Sequence, residues 1–275
     1  SRFDPNNGFP HHSSPSPHIT GNVAVYHSPF FLSLILKNLV VSQNMGASHI
    51  SSEAADAMAS LLLLQKSDFW SFNYWFRDSL ESQEKPYPDD LDDTFAALSA
   101  LYCYDETLFD GSALARITQT LTYCEAKEGG PYRTWIVPSE AQNVWKDIDP
   151  FVNAHIGLFL SYLDIDLPGL TEFIEKSILS STFSSQYYPS PFSGSLFLLE
   201  WYQGECREKL VHSLASGYEA SSKLDQLLFC LALNDKEVDQ FSDHVFQLRK
   251  EMLETPEVFN KPYAFCLDPA QDGVP

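Results

Sequence analysis

The sequence predicts an all-α chain, built from helical hairpins arranged as an α/α toroid or barrel. Three observations predict it. Apolar residues recur at helical period along almost the whole chain. Pro and Gly fall between the periodic stretches, at Pro86 and Pro88, Gly129 to Pro131, Pro138, Pro168, Pro189, Pro191 and Gly204. No alternating pattern of useful length marks a strand. The best strand candidate, "YRTWIVP" at 132–138, stands alone.

Taken in order, residues 1–20 are rich in Pro, Ser, Asn and His and read as an extended N-terminal arm. Its paired His11 and His12 read as solvated rather than as metal ligands. Residues 21–275 read as a single helical domain. Its first stretch, "VAVYHSPFFLSLILKNLVV" at 23–41, is the most hydrophobic in the chain. His27, Ser28, Pro29 and Lys37 interrupt it, so its apolar part is too short to span a bilayer. A buried helix is expected there, with an interfacial helix as the alternative. Helical period then covers 30–42, 52–66, 91–104, 112–125, 150–163, 169–180, 193–203, 206–217, 221–233 and 235–254. Short connections pair these helices into hairpins, which suits a solenoid or a closed ring. Two long loops, 67–90 and 126–149, carry Trp70, Tyr74, Trp75, Tyr132, Trp135 and Trp145. Long loops of that composition favour a ring with a functional rim.

Charge and thiols narrow the function. The net charge of −20 disfavours nucleic-acid partners and anionic membrane surfaces. The five cysteines are widely spaced, with no CxxC, and read as reduced thiols in a cytoplasmic protein without a structural zinc. The start shows no basic-apolar-small order of an export signal, so membrane contact is expected to be peripheral at most.

The unusual segment is "PYPDDLDDTFAAL" at 86–98, with Asp89, Asp90, Asp92 and Asp93 opening an apolar helix. A helix start uses one or two acids as caps. Four exceed that need, because each carboxylate repels the others. Two chemistries fit the spacing. Asp89, Asp90 and Asp93 match D-D-x-x-D, in which acids on one helical face share Mg²⁺ and hold a diphosphate. The partner motif of that chemistry is incomplete, since "NDKEVDQFSD" at 234–243 lacks its Ser or Thr and its Glu. Alternatively, Asp90, Asp92 and Asp93 match D-x-D-D, in which one protonated carboxyl acts as general acid in a dry cavity.

"DLDDT" at 90–94, leading into a helix of small and apolar residues, resembles the D-x-D-D-T segment of class II terpene cyclases, the group that includes squalene–hopene cyclase-like proteins. "LLLLQKSDFWSFNYW" at 61–75 is similar to the repeat motif of that superfamily, a helix ending in Gln followed by a Gly-x-Trp turn. Gln65 and Trp70 are in place, while Asp68 stands where the motif has Gly. "AKEGGPYRTW" at 126–135 is a weaker echo, and the resemblance covers roughly residues 50–165. It implies an (α/α)6-like barrel, incomplete here because ten candidate helices stand where such a ring has twelve. It implies an isomerase that starts cyclisation of a linear isoprenoid, or its diphosphate, by protonating a double bond or epoxide. Asp92 would be the acid, supported by Asp90 and Asp93, with Thr94 completing the motif. The family's acid is polarised by a hydrogen-bonded His or Asn, for which His155 and Asn153 are candidates. Carbocations want aromatic faces, and Trp70, Tyr74, Trp75, Phe95, Tyr132, Trp135 and Trp145 are candidates. No cofactor is implied unless the substrate is a diphosphate. In that case Mg²⁺ and the cations Arg133 and Lys127 would meet it. The competing readings are a non-catalytic α/α module that binds an apolar or carbohydrate ligand, a class I Mg²⁺-dependent prenyl diphosphate enzyme, and a glycosidase-like pairing of Asp92 with Asp147 or Asp149.

Overall fold

The computed structural model describes residues 11–12, 25–26, 28–44 and 52–255, and it is all-helical apart from one two-residue antiparallel ladder, His11–His12 with Val25–Tyr26. Apart from His11 and His12, the expected N-terminal arm lies outside the described residues, as does the chain after 255. The α-helices among the described residues are α1 (Pro29–Asn44), α2 (Ser52–Gln65), α3 (Leu80–Glu84), α4 (Leu91–Tyr104), α5 (Gly111–Cys124), α6 (Pro150–Tyr162), α7 (Pro168–Leu179), α8 (Pro191–Trp201), α9 (Arg207–Gly217), α10 (Lys223–Ala232), α11 (Asp235–Gln240) and α12 (Ser242–Glu254).

Local chemistry explains where they begin. Pro150, Pro168 and Pro191 each open a helix, where the missing N–H costs nothing and the fixed φ is already helical. Asp90, Asp110, Asp149 and Ser190 cap α4, α5, α6 and α8 with side-chain oxygens. Ser222 and Asp225 form a capping box on α10.

Burial divides the helices into two kinds. α4 is buried at Leu91 and from Asp93 to Leu101, α6 from Phe151 to Leu160, and α8 over most of its length. Such helices have neighbours on every side. In α7 the buried positions are Leu170, Ile174, Ser177 and Ile178, a single stripe at i, i+4, i+7 and i+8. In α9 they are Arg207, Leu210, Val211 and Leu214. α5 follows the same rule. The buried helices pack on one another in chain order: α1 on α4, α4 on α6, α6 on α8 and α8 on α10. α5, α7 and α9 cover them with one face and show the other to solvent. Two glycines allow the closest approach. A Cβ on Gly157 of α6 would fall 2.1 Å from the Trp201 ring, and one on Gly194 of α8 would fall 1.6 Å from the Phe151 ring. The core cluster is continuous from Phe30 to Ala232.

The stretch 23–41 supplies α1, whose Phe30, Leu32, Leu36 and Val40 are core residues. No helix among the described residues is long and apolar enough to cross a membrane. Three expectations change. The loop 67–90 holds the short helix α3, capped by Ser79. The stretch 235–254 breaks at Phe241 into α11 and α12. "YRTWIVP" forms no regular strand. Instead Tyr132 and Trp135 make isolated bridges to Glu125 and Asp90.

Candidate active site

The aspartate segment is held from both sides by backbone. Asp90 bridges Phe72 on one side and Trp135 on the other. Its N–H donates to the Phe72 carbonyl at 3.2 Å, Leu91 N–H to the Thr134 carbonyl at 2.8 Å, and Ile136 N–H to the Asp89 carbonyl at 2.9 Å. The Thr94 hydroxyl accepts from Phe72 N–H at 2.9 Å. The two aromatic loops are thereby stitched to the start of α4, which fixes the four carboxyls in space.

Those carboxyls have four different surroundings. Asp89 lies before the helix, where it pairs with the Arg77 guanidinium at 2.7 Å and accepts from Ser71 at 2.5 Å. Arg77 also donates to the Gln65 carbonyl at 2.7 Å, and its own N–H donates to the Gln65 side chain at 2.7 Å. The Gln of the Gln–Trp turn thus reaches the first aspartate through one arginine. Trp70 takes the left-handed backbone of that turn, with φ 62°, while Asp68 has an ordinary negative φ. The side chain at 68 therefore adds no strain where the repeat motif has Gly.

Asp90 is buried and caps α4, accepting from Asp93 N–H at 2.8 Å. Burial, then the charge of Asp93, pushes its pKa well above the ordinary carboxyl range. Asp93 is buried beside it and pushed up to about 7, chiefly by burial. Its Oδ1 has no hydrogen-bond partner. Asp92 alone of the three keeps some exposure, 16% of its side chain.

Both Asp92 oxygens are engaged. Oδ1 lies 2.5 Å from His155 Nδ1, and Oδ2 accepts from the Tyr188 hydroxyl at 2.6 Å. His155 is buried on α6, its ring centroid 3.6 Å from that of Phe197 and 6.0 Å from that of Phe30. Its Nε2 is buried with no hydrogen-bond partner. Asp149, the cap of α6, is also buried. Burial chiefly, and the Asp92 charge to a smaller degree, push it up to about 7.

The structure separates His155 from Asn153. Asn153 accepts from Tyr132 N–H and donates to the carbonyls of Tyr132 and Asp149, each at 2.9 Å. It fastens the second aromatic loop to α6. The remaining candidates fall in two groups. Trp135 donates to the Tyr187 hydroxyl at 2.9 Å and lies 4.8 Å from Trp145 and 6.1 Å from Tyr87, centroid to centroid. Trp75 is next to Tyr74 and stacks on Tyr87, so these six rings form one cluster. Phe95 is core, packed on Phe159, and Trp70 leans on Phe109. Tyr132 is buried. Arg133 turns its guanidinium to the Tyr123 carbonyl at 2.9 Å.

The Mg²⁺ reading rested on Asp89 and Asp93 sharing a helical face. The helix starts at Leu91, so Asp89 lies outside it and faces Arg77 instead. Among the described residues no group of three or more His, Cys, Asp and Glu could hold a metal.

In the sequence, Tyr187, Tyr188, Phe192, Trp201 and Tyr202 of "YYPSPFSGSLFLLEWYQG" at 187–204 read as a further aromatic wall, and nothing there gives Phe30 or Phe197 a role beside Asp92. Tyr188 is 96 residues from Asp92, and no spacing rule links them. Its signal is the aromatic pair Tyr187–Tyr188 just before the Ser190–Pro191 helix start. No protein-family model matches the chain, and no curated protein matches it.

Proposed function

We propose that the chain is a terpene cyclase-like enzyme in which Asp92 protonates a double bond or epoxide of a linear isoprenoid, on the rim of a partial α/α toroid. The observation that carries this reading is the arrangement of Asp92: its carboxyl is partly accessible, and its two oxygens are held by an imidazole and a phenol, His155 and Tyr188. Fixed partners orient the acid before substrate arrives, so no reorganisation is needed at the moment of transfer. With its Nδ1–H donating to Oδ1, His155 draws electron density from the carboxyl and makes a proton on Oδ2 easier to give up. The proton goes to a terminal alkene carbon, and the π electrons form the new C–H bond. With an epoxide it goes to oxygen as the C–O bond breaks. Either leaves a carbocation, which ring closure consumes and loss of a proton from carbon ends. Phe30, Phe197 and Tyr188, which lie around the His155 ring, offer faces that stabilise cations without acting as bases, each contributing roughly 0.5–2 kcal/mol. The order of helix packing, with α4, α6, α8 and α10 inside and α5, α7 and α9 outside, supports the toroid.

The test is incubation with squalene-type polyenes, their epoxides and prenyl diphosphates, with product analysis. Asp92→Asn is expected to cut turnover by at least about a hundredfold, the lower end of general-acid contributions. Equal turnover by the variant sinks the acid assignment. Tight binding of an isoprenoid with no turnover by either form favours a ligand-binding module.

A further inference from the structure

We propose, resting on the cyclase reading above, that the site selects an uncharged isoprenoid, a polyene or its epoxide, and rejects the prenyl diphosphate. Three observations carry the choice.

The first is the fate of the helix starts. A helix N-terminus is the usual seat for a phosphate, because free N–H groups and the dipole both favour an anion. Here α4, α6 and α8 begin in the segments that carry Asp92, Asp149 and Tyr188, and all three starts are already filled. Asp90 takes the Asp93 N–H at 2.8 Å. Asp149 takes Phe151 N–H at 2.8 Å and Val152 N–H at 3.2 Å. Ser190 takes Phe192 N–H at 3.2 Å. Two of the three fillers are carboxyls, so a phosphate meets acid where it would need amide.

The second is the sign of the charge. Burial first, and then the charge of Asp92 among other neighbouring acids, raises the pKa of Asp90, Asp93 and Asp149. The region already holds more negative charge than it can keep ionised. A diphosphate adds to that burden, whereas a carbocation relieves it.

The third is where the cations are. The partners of Asp92 are His155 and Tyr188. Arg77 is paired with Asp89, Lys37 with Glu200 and Arg207 with Glu237. Arg133, on the loop best placed to meet a diphosphate, and Arg116 donate to the carbonyls of Tyr123 and Asp68. Lys127, the other cation of that loop, is exposed and its charge acts on Glu172, and outside the described residues the sequence adds only Arg2 and Lys261 as Lys or Arg.

The experiment compares three C20 probes by titration calorimetry, with and without Mg²⁺: a prenyl alcohol, its diphosphate, and the matching tertiary amine, which is protonated at neutral pH. The expected order is amine tighter than alcohol, and alcohol at least about tenfold tighter than diphosphate. Diphosphate binding equal to or tighter than the alcohol overturns the inference. So does failure of all three to bind, which removes the cyclase reading as well. Turnover separates the two claims. Asp92-dependent cyclisation of the diphosphate keeps the acid assignment and overturns this inference. Turnover of a neutral polyene that survives Asp92→Asn overturns the acid assignment while charge selection stands.

Discussion

Four aspartates in one short segment are sorted by their neighbours rather than by their spacing. Asp89 has a guanidinium, Asp90 has a helix start, Asp93 has burial, and Asp92 has an imidazole and a phenol. Only the last arrangement sets an imidazole and a phenol on a carboxyl that is still partly exposed. Tyr188→Phe removes one neutral donor from Oδ2 and little volume. The expected result is an unchanged fold and roughly tenfold slower Asp92-dependent turnover, matching a hydrogen bond of about 1–1.5 kcal/mol. Wild-type turnover in this variant would show that Tyr188 does not orient the acid. The register D-x-D-D was legible in the sequence because it is local. The choice between His155 and Asn153 was not, although the helix geometry holds the answer. Residues two apart on a helix point about 200° away from each other, since each step turns the helix by about 100°. His155 therefore meets Asp92 when Asn153 meets the Tyr132 loop. Asn153→Ala leaves the Tyr132 N–H and carbonyl buried without that partner. It should cost about 1–3 kcal/mol of stability, read as a drop in Tm, and an unchanged Tm would count against the fastening role.

At the scale of elements, the buried helices owe their contact to small residues. Gly157 and Gly194 are notches that receive Trp201 and the Phe151 ring, and the Trp201 indole completes the fit by donating to the Ala154 carbonyl at 3.0 Å. Gly194→Ala sets a methyl against the Phe151 ring, so α6 and α8 must separate. Overpacking of this kind costs about 1–3 kcal/mol, although alanine is intrinsically the better helix residue. A thermal melt with Tm at or above wild type would refute the close packing of these helices. The helices themselves were legible almost throughout, because their starts carry Pro and capping residues and their faces carry period. Two features were not. α3 is only five residues long and buries none of them, so it has no apolar stripe to read. The break at Phe241 lies between two polar helices, where Asn234 and Glu237 close a capping box on α11 and the chain restarts at Ser242. The bridges of Asp90 to Phe72 and Trp135 were also invisible, since isolated pairs leave no alternating pattern.

At the scale of the molecule, the buried acids set how stability answers pH. Asp93 and Asp149 ionise near 7 in the fold, against about 3.8 for an ordinary Asp, and burial is the first cause for both. A raised carboxyl is favoured in its protonated form by the folded state. Its contribution is complete below about 3.8 and is lost progressively as pH rises to about 7, beyond which the loss is constant. One pKa unit is worth about 1.4 kcal/mol, so each acid costs at most about 4 kcal/mol at pH 8. The overall charge of −20 acts in the same direction, because self-repulsion grows as carboxyls ionise. The opposing groups are weak: Glu140, Glu172 and Glu251, whose pKa values are lowered, lie at the surface. Melting is therefore expected at a higher temperature at pH 5.5 than at pH 8. Asp93→Asn removes one of these titrations while keeping the shape of the side chain. Its Tm should fall less across that range, with the gain over wild type concentrated at the alkaline end. Glu172→Gln should leave the slope as it is. A wild-type Tm that climbs from pH 5.5 to 8, or an Asp93→Asn curve parallel to wild type, would mean that Asp93 does not carry its proton in the folded chain.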